Sequence, residues 1–238
     1  MPTTQHLTTE HTWKDLVLNE SAFQSLAKLF DNAKQKQSCN ALFYGPAGTG
    51  KTLAATLLGK ELGNDVVRVD LAGLVSKYIG ETEKNLRELF SRAESKNWIL
   101  LFDEADALFG KRTTVKDSHD KYANQEISYL TQRVNEYNGI VLFASNRKSN
   151  IDEAFLRRLK YVIHFAIPGP AERLVLWQRG LIKNNLSIDG SDLREIANNF
   201  ELSGAAILKV TRQLGQGSGE NNAELILSNI IANASNKK

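Results

Sequence analysis

A glycine-rich loop carries the clearest chemical signal in this sequence. Residues 45–52 follow a short apolar run and precede a helical pattern. The glycines allow successive backbone N–H groups to face phosphate oxygens, and the N-terminus of the following helix adds a positive partial charge. In such a loop Lys51 reaches the β- and γ-phosphates, and the Thr52 hydroxyl is a Mg²⁺ ligand. The predicted nucleotide-binding residues here are Gly45, Pro46, Ala47, Gly48, Thr49, Gly50, Lys51, Thr52 and Leu53.

Two carboxylates follow a second apolar run. Residues 98–102 are apolar throughout, as in a parallel strand buried on both faces, and Asp103 and Glu104 come directly afterwards. Carboxyl ends of parallel strands form the edge where open α/β sheets bind ligands. We expect Asp103 to hold Mg²⁺ through water and Glu104 to polarise the water that attacks the γ-phosphate. The alternative is an acidic first turn of a helix, which Asp and Glu favour.

A third predicted strand ends in an amide. Residues 140–145 are followed by Asn146, whose side chain is expected to bond to both the γ-phosphate and the attacking water. An Asn at the end of a strand is otherwise a turn residue. We therefore assign Asn146 to the site only in combination with the other two motifs.

These three motifs together resemble those of the AAA+ ATPases, and within that family the proteins that remodel other proteins. The glycine-rich loop corresponds to Walker A, residues 99–104 to Walker B and residues 143–146 to the sensor 1 strand. The segments 76–85, 151–158 and 202–205 resemble the pore loop with its following helix, the arginine-finger segment and the sensor 2 region of the helical lid.

The resemblance implies a substrate-gripping pore loop made of Lys77, Tyr78, Ile79 and Gly80. An exposed aromatic side chain packs on any peptide without sequence preference, which suits an extended substrate. The alternative is that Tyr78 packs on its own domain while Gly80 serves as a turn.

The resemblance also implies that Arg157 and Arg158 act on the γ-phosphate of a neighbouring subunit, where an arginine spreads the developing charge. Which of the two is the principal finger stays open. A ring of identical subunits, expected to be a hexamer, follows from the resemblance. The alternative is that both arginines cap the carbonyls at a helix C-terminus.

Further nucleotide contacts come from the resemblance alone. Asp15 and Val17 match the segment that lies near adenine, and Gly204 and Ala205 match the lid region. No Asn-Lys-x-Asp guanine signature occurs, so the expected cofactors are ATP and Mg²⁺.

Composition limits the class of protein. The chain has 238 residues, 42% of them hydrophobic, and a net charge of +3 without a stripe of Lys or Arg, so a nucleic-acid partner is not expected. The single Cys39 excludes an internal disulfide. No run approaches the roughly 18 apolar residues of a membrane span, and residues 1–12 lack an apolar signal core. We expect a soluble, cytoplasmic protein without a membrane partner.

Strand and helix patterns alternate along the first two thirds of the chain, which predicts a parallel sheet with helices on both faces. The predicted strands are 40–44, 65–70, 98–103, 140–145 and 160–166. The predicted helices are 20–34, 50–62, 81–95 and 119–138, and then 171–184, 190–200, 203–214 and 222–234. In the third of these, the spacing of Leu86, Leu89, Phe90 and Ala93 predicts a stripe that faces the core.

The predicted fold class is therefore α/β, a P-loop NTPase fold with a parallel five-stranded sheet followed by a small all-α lid. The predicted domains are a polar tail at 1–12, a nucleotide-binding domain at 13–167 and a lid at 168–238.

The functional prediction is an ATP-hydrolysing AAA+ motor that remodels, unfolds or assists assembly of a protein partner through a ring with a central pore. An ATP-dependent switch or scaffold that does not thread substrate is the alternative, and a DNA-associated loader is a third. Segments 13–18, 103–112 and 122–126 look closest to bacterial stand-alone ATPases found with contractile, phage-tail-like injection particles.

Overall fold

A computed structural model describes residues 4–70, 81–109 and 118–216 of the chain. The chain divides into two compact units. The first comprises Met1–His11, Ser21–Gly45 and Lys51–Phe165, and the second comprises Thr12–Glu20, Pro46–Gly50 and Ala166–Lys238. The predicted domain boundaries stay a prediction.

The first unit is built on a sheet of six strands. Their order is β1-β3-β4-β5-β2-β6. The bounds are β1 Thr4–Leu7, β2 Cys39–Tyr44, β3 Val66–Asp70, β4 Ile99–Asp103, β5 Ile140–Ser145 and β6 Tyr161–His164. Strands β2 to β6 are mutually parallel, which confirms the predicted five-stranded parallel arrangement.

The sixth strand was not predicted. Thr4–Leu7, which the sequence analysis placed in a polar tail, pairs antiparallel with β3 as an edge strand. Its sequence lacks the apolar alternation that identifies a strand. It forms because the edge of β3 offers unpaired backbone groups, and the His6 ring packs edge-on against Trp98 with the ring centroids 5.2 Å apart.

Six helices accompany this sheet in the described part of the first unit. They are α1 Glu20–Lys34, α2 Lys51–Leu62, α3 Glu81–Lys96, α4 Asp106–Phe109, α5 Ser118–Glu136 and α6 Glu153–Leu156. The predicted core-facing stripe of α3 is confirmed, because its members are at most 3% exposed; they are Leu86, Leu89, Phe90 and Ala93. They join one hydrophobic cluster with residues of β3, β4 and β5, such as Val67, Leu100 and Val141.

The parallel strands that carry the predicted site are almost fully buried. In β4, Ile99, Leu100, Leu101 and Phe102 are each at most 1% exposed. Strands β2, β4 and β5 lie side by side in the sheet and end at Tyr44, Asp103 and Ser145. The polar residues that follow them therefore emerge at one edge of the sheet.

The described part of the second unit contains three longer helices, α7 Pro170–Lys183, α8 Gly190–Asn199 and α9 Gly204–Gln216. They bury a cluster that includes Trp177, Ile196 and Ile207. Pro170 begins α7, where its missing N–H costs nothing, and the Asp189 carboxylate caps α8. The hydrogen bonds that this carboxylate accepts from Ser191 lower its pKa. The predicted helix 222–234 lies outside the described residues.

Arg173 is a buried charge within the second unit, only 5% exposed. Its guanidinium donates to the carbonyl oxygens of Ala197 at 2.7 Å, Pro168 at 2.7 Å and Asn198 at 3.4 Å. Two of these carbonyls belong to the last turn of α8, where a positive charge is favourable. Arg173 thus joins the chain before α7 to the end of α8.

Among the described residues, no helix combines the length and the apolar character needed to cross a membrane.

Candidate nucleotide site

The first residue of the glycine-rich loop shows why that position is glycine. Gly45 has a φ of +145°, and a Cβ there would lie 2.0 Å from the carbonyl oxygen of Phe165. Its N–H donates to the carbonyl oxygen of Ser145 at 3.1 Å. The loop therefore begins between the last residue of β5 and the residue that follows β6.

Residues Pro46–Gly50 of the loop belong to the second unit. Gly48 has a φ of +78°, and a Cβ there would lie 2.7 Å from Ser203 Oγ. The Gly48 carbonyl oxygen accepts the N–H of Ala205 at 3.0 Å. Within the loop, Thr49 is 7% exposed and its Oγ1 donates to the Pro46 carbonyl oxygen at 2.9 Å. The structure thus brings Gly48 and Ala205, both predicted nucleotide residues, into backbone contact.

Lys51 lies at the start of α2 with 9% exposure. Its Nζ donates to the Gly45 carbonyl oxygen at 2.6 Å and to Asn146 Oδ1 at 3.3 Å. Burial lowers the pKa of this ammonium, while the nearby carboxylates of Asp103 and Asp106 act in the opposite direction. A nucleotide phosphate would supply negative charge that offsets the desolvation of this group.

The two predicted catalytic carboxylates occupy different environments. Asp103 ends β4 and its side chain is 24% exposed. Glu104 is exposed and has a φ of +52°, a left-handed conformation that costs a non-glycine residue about 1–2 kcal/mol. Its own N–H donates to Asp103 Oδ1 at 3.0 Å, and the next residue, Ala105, donates its N–H to the Ala144 carbonyl oxygen at 2.9 Å. The chain thus makes a strained turn between the end of β4 and Ala105, at the position of the second carboxylate.

Asn146 follows β5 directly and is exposed. The residue before it, Ser145, is 2% exposed, and its Oγ donates to Asp106 Oδ1 at 2.9 Å. This bond joins the ends of β4 and β5. The amide of Asn146 is thereby held beside Lys51, as the 3.3 Å hydrogen bond records.

The donor set suits a Mg²⁺–nucleotide complex. Thr52 is exposed at the start of α2, and Asp103 ends the neighbouring strand, so hydroxyl and carboxylate oxygens are available. Mg²⁺ prefers such oxygens and usually completes its shell with waters and phosphates. Gly48 and Gly50 both have a positive φ, and a Cβ at either position would collide with a neighbouring side chain, Ser203 or Leu16, so the loop backbone needs glycine there. The loop, Thr52 and Asp103 therefore fit the Mg²⁺–nucleotide complex that the sequence predicts.

Arg157 and Arg158 follow α6 on the surface of the first unit, and both are exposed. The only described ion pair of Arg157 is with Glu153, at 3.9 Å, with side-chain exposures of 82% and 73%. Such exposed pairs contribute little to stability. The structure does not bring these arginines to Lys51 or Asn146 of the same chain through any described contact.

The predicted adenine-side residues lie in the second unit. Asp15 belongs to a short 3₁₀ turn, Trp13–Asp15, and its Oδ2 accepts the N–H of Thr12 at 2.7 Å. Val17 packs against the cluster of the three lid helices, and Gly204 begins α9. Leu53 is half-buried on α2. The predicted pore-loop residues lie outside the described residues, so the pore loop stays a prediction; they are Lys77, Tyr78, Ile79 and Gly80.

Two further side chains contact the site without having been predicted from the sequence. Arg68 on β3 pairs with Asp103, its Nη2 lying 2.8 Å from Oδ2. Asp106, three residues after Asp103, accepts the hydrogen bond of the Ser145 hydroxyl. A signal for Arg68 existed, because a charged residue interrupts the apolar run 66–69, but a pattern along one strand does not identify its cross-strand partner.

Comparison with known proteins gives matches over most of the chain. The family model described as the ATPase family associated with various cellular activities (AAA) matches residues 41–167. The vesicle-fusing ATPase of Arabidopsis thaliana is 39% identical over 153 residues, covering 58% of this chain and 20% of that protein. The cell division cycle protein 48 homolog of Archaeoglobus fulgidus is 32% identical over 219 residues, covering 85% and 30%.

The proteasome-activating nucleotidase of Methanococcus vannielii is 33% identical over 196 residues, covering 79% of this chain and 48% of that protein. The chain thus spans between a fifth and about half of the length of these curated relatives. Among solved structures, the crystal structure of the FIGL-1 AAA domain matches with a TM-score of 0.73 and 23% identity, covering 96% of this chain and 85% of that one. That likeness concerns the fold.

Proposed function

Because the chain belongs to the AAA family of ATPases, we propose that it hydrolyses ATP with Mg²⁺ and uses the energy to rearrange a protein partner as one subunit of a ring. The observation that carries the proposal is the buried Lys51. Its ammonium links the glycine-rich loop to Asn146 through two hydrogen bonds. That arrangement suits a triphosphate whose terminal phosphate lies between the loop and β5.

Phosphate binding, metal binding and activation of water are proposed for different residues of the site. Backbone N–H groups of the loop and Lys51 bind the β- and γ-phosphates. Thr52 and Asp103 would hold Mg²⁺, which would supply positive charge to the phosphates when bound. Glu104 orients and polarises the attacking water from a strained backbone position directly after β4. Asn146 donates its amide to the γ-phosphate and to that water.

We propose that Arg157 and Arg158 complete the site of a neighbouring copy. Their exposure supports this role, because a finger must reach a phosphate outside its own chain. An arginine supplied in this way is worth roughly 10³–10⁵ in rate. A heterologous contact of this kind gives a ring when the rotation between subunits closes, and we propose a closed ring of six subunits.

The proposed partner of the ring is a protein. Relatives include a proteasome-activating nucleotidase and a vesicle-fusing ATPase, which supports a partner that is itself a protein. We propose that Tyr78 grips this partner in a central pore. We further propose that the chain acts on a contractile, phage-tail-like particle in the cytoplasm. The support for this is the resemblance of segments 13–18, 103–112 and 122–126.

The test is the Mg²⁺-dependent ATPase rate per protomer over a wide range of protein concentration, with Glu104→Gln as the blank. We expect a steep rise with concentration, because the site needs two subunits. Arg157→Ala and Arg158→Ala should abolish the rise while ATP binding persists. A rate per protomer that is constant and insensitive to both arginines contradicts the ring mechanism and favours an ATP-dependent switch.

Threading is tested separately from hydrolysis. In a pulling motor, Tyr78→Ala should abolish remodelling of a bound protein and retain ATPase activity. Full remodelling by Tyr78→Ala contradicts the pore mechanism and favours a scaffold. Stimulation of the rate by DNA with a steep salt dependence would favour a loader instead.

A further inference from the structure

A buried asparagine at the start of β2 holds the backbone that carries the two arginines. Asn40 is 8% exposed. Its Nδ2 donates to the carbonyl oxygen of Arg158 at 3.3 Å, and its Oδ1 accepts the N–H of Lys160 at 2.7 Å. One planar amide therefore satisfies a backbone acceptor and a backbone donor on either side of Leu159. An apolar residue at position 40 would leave both groups without this partner.

Neighbouring contacts fasten the same segment to the first unit. The Lys160 ammonium donates to the carbonyl oxygen and to the hydroxyl of Ser38. One residue further on, the Tyr161 hydroxyl accepts the amide N–H of Asn32. The chain after the arginines is thus fixed to the start of β2 and to α1 by polar bonds.

The arginine side chains differ sharply from this fixed backbone. The Arg157 guanidinium is 82% exposed, and its described carboxylate contact is a long one. Arg158 makes no ion pair with another described residue. The segment therefore combines a backbone held by hydrogen bonds with two exposed cations, which is the requirement for presenting a charge to another molecule at a defined position.

We infer that Asn40 is a positioning residue for the arginine pair, and that it acts on the nucleotide of the neighbouring copy and not on that of its own chain. The inference rests on the proposed shared site. Without the Asn40 amide the backbone at 158–160 shifts toward other hydrogen-bond partners and carries the arginines with it. A displacement of about 1 Å at a reacting group costs roughly 100-fold in rate.

Two variants of Asn40 and one control serve the test. Asn40→Ala removes both hydrogen bonds. Asn40→Asp keeps the size of the side chain and the acceptor for Lys160, but loses the donor to the Arg158 carbonyl, and it serves if the alanine variant does not fold. Tyr161→Phe is the control, because it removes a neighbouring polar bond without touching the backbone on either side of Leu159. Thermal unfolding and binding of a fluorescent ATP analogue are measured for each.

The decisive measurement mixes separately purified chains in equal amounts. Asn40→Ala subunits have an intact nucleotide site and displaced arginines, whereas Glu104→Gln subunits have an inactive site and intact arginines. Asn40→Ala alone should be about 100-fold slower than the unmodified chain, and Glu104→Gln alone should be inactive. In a randomly mixed ring about a quarter of the interfaces join an intact site to intact arginines. We therefore expect the mixture to recover about a quarter of the unmodified rate, with ATP affinity within about twofold in Asn40→Ala.

The controls separate failure of this inference from failure of the proposed function. The double variant Arg157→Ala/Arg158→Ala mixed with Glu104→Gln should recover in the same way, and Tyr161→Phe should be fully active alone. If that double variant recovers and neither Asn40 variant does, the role of Asn40 in the neighbouring site is refuted while the shared site stands. Unchanged activity of Asn40→Ala alone also refutes it. If the arginine double variant fails to recover, the shared site itself is refuted, and the inference with it.

Discussion

The ion pair between Arg68 and Asp103 yields a prediction about the dependence on Mg²⁺. Asp103 is the carboxylate that we assign to Mg²⁺, yet in the structure its Oδ2 lies 2.8 Å from Arg68 Nη2. A guanidinium bonded to this oxygen competes with a hydrated Mg²⁺ for the same carboxylate, because both partners are cations drawn to one negative charge. Replacing Arg68 by glutamine should therefore make Mg²⁺ bind more tightly.

The size of the effect follows from the exposure of the pair. Two unit charges about 4 Å apart attract by about 4 kcal/mol at an effective dielectric constant of about 20. The side chains are 44% and 24% exposed, so solvent screening and the ordering of Arg68 reduce the net value to about 1 kcal/mol. That free energy corresponds to about a fivefold change in an equilibrium constant.

The assay is a Mg²⁺ titration of fluorescent ATP binding at fixed nucleotide concentration, in a Glu104→Gln background that prevents turnover. Arg68→Gln should lower the half-saturating Mg²⁺ concentration about fivefold. Arg68→Lys keeps the charge but loses the planar fork of the guanidinium. Its half-saturating Mg²⁺ concentration should lie between that of the chain with Arg68 and that of Arg68→Gln. In an Asp103→Asn background the effect of Arg68→Gln should vanish, which completes a double-mutant cycle.

An unchanged or raised half-saturating concentration in Arg68→Gln would refute the competition. So would an equal fivefold shift in the Asp103→Asn background, because Arg68 would then act without the carboxylate.

Three further predictions concern stability. Burial, and secondarily the Glu94 carboxylate, raises the pKa of Tyr137 to about 12. The native state then keeps a proton that the unfolded chain releases above about pH 10, so the unfolding free energy should fall by up to about 2–3 kcal/mol between pH 10 and 12. Urea denaturation across that range should show this fall, and Tyr137→Phe should remove it. Gly45→Ala should destabilise the chain by about 3 kcal/mol or more and abolish ATP binding, because its Cβ would overlap the backbone after β6. Gly63→Ala is the matched control: its φ is also positive but no atom lies within 4 Å of the added Cβ, so denaturation should show a cost of only about 1–2 kcal/mol. Arg173→Met should lower the unfolding free energy by about 2–3 kcal/mol, because the carbonyls at the end of α8 lose a charged donor; denaturation with an unchanged midpoint would contradict that assignment.

Local patterns in the sequence predicted the elements and the order of the motifs. The apolar run 98–102 predicted a strand buried on both faces, and Leu100 and Phe102 are completely buried. The stripe Leu86 to Ala93 predicted the core face of α3 in the same way. These patterns succeed because burial and backbone geometry act within a few residues: a strand alternates its faces and a helix repeats every 3.6 residues. The glycines of the loop were predictable for the same reason, because the ability to adopt a positive φ depends on the residue itself and not on distant contacts.

Tertiary structure alone decided which polar groups meet. The edge strand Thr4–Leu7, the Arg68–Asp103 pair and the Asn40 amide on the backbone after Arg158 each join segments that are far apart in the chain. Their partners depend on the strand order and register of the sheet, which place β3 beside β4 and β6 beside β2. A one-residue change of register would turn each of these side chains to the opposite face of the sheet. The sequence therefore specified the groups that perform the chemistry, and the packing of distant strands selected the groups that hold them, because these polar contacts exist only in the register that the apolar core stabilises.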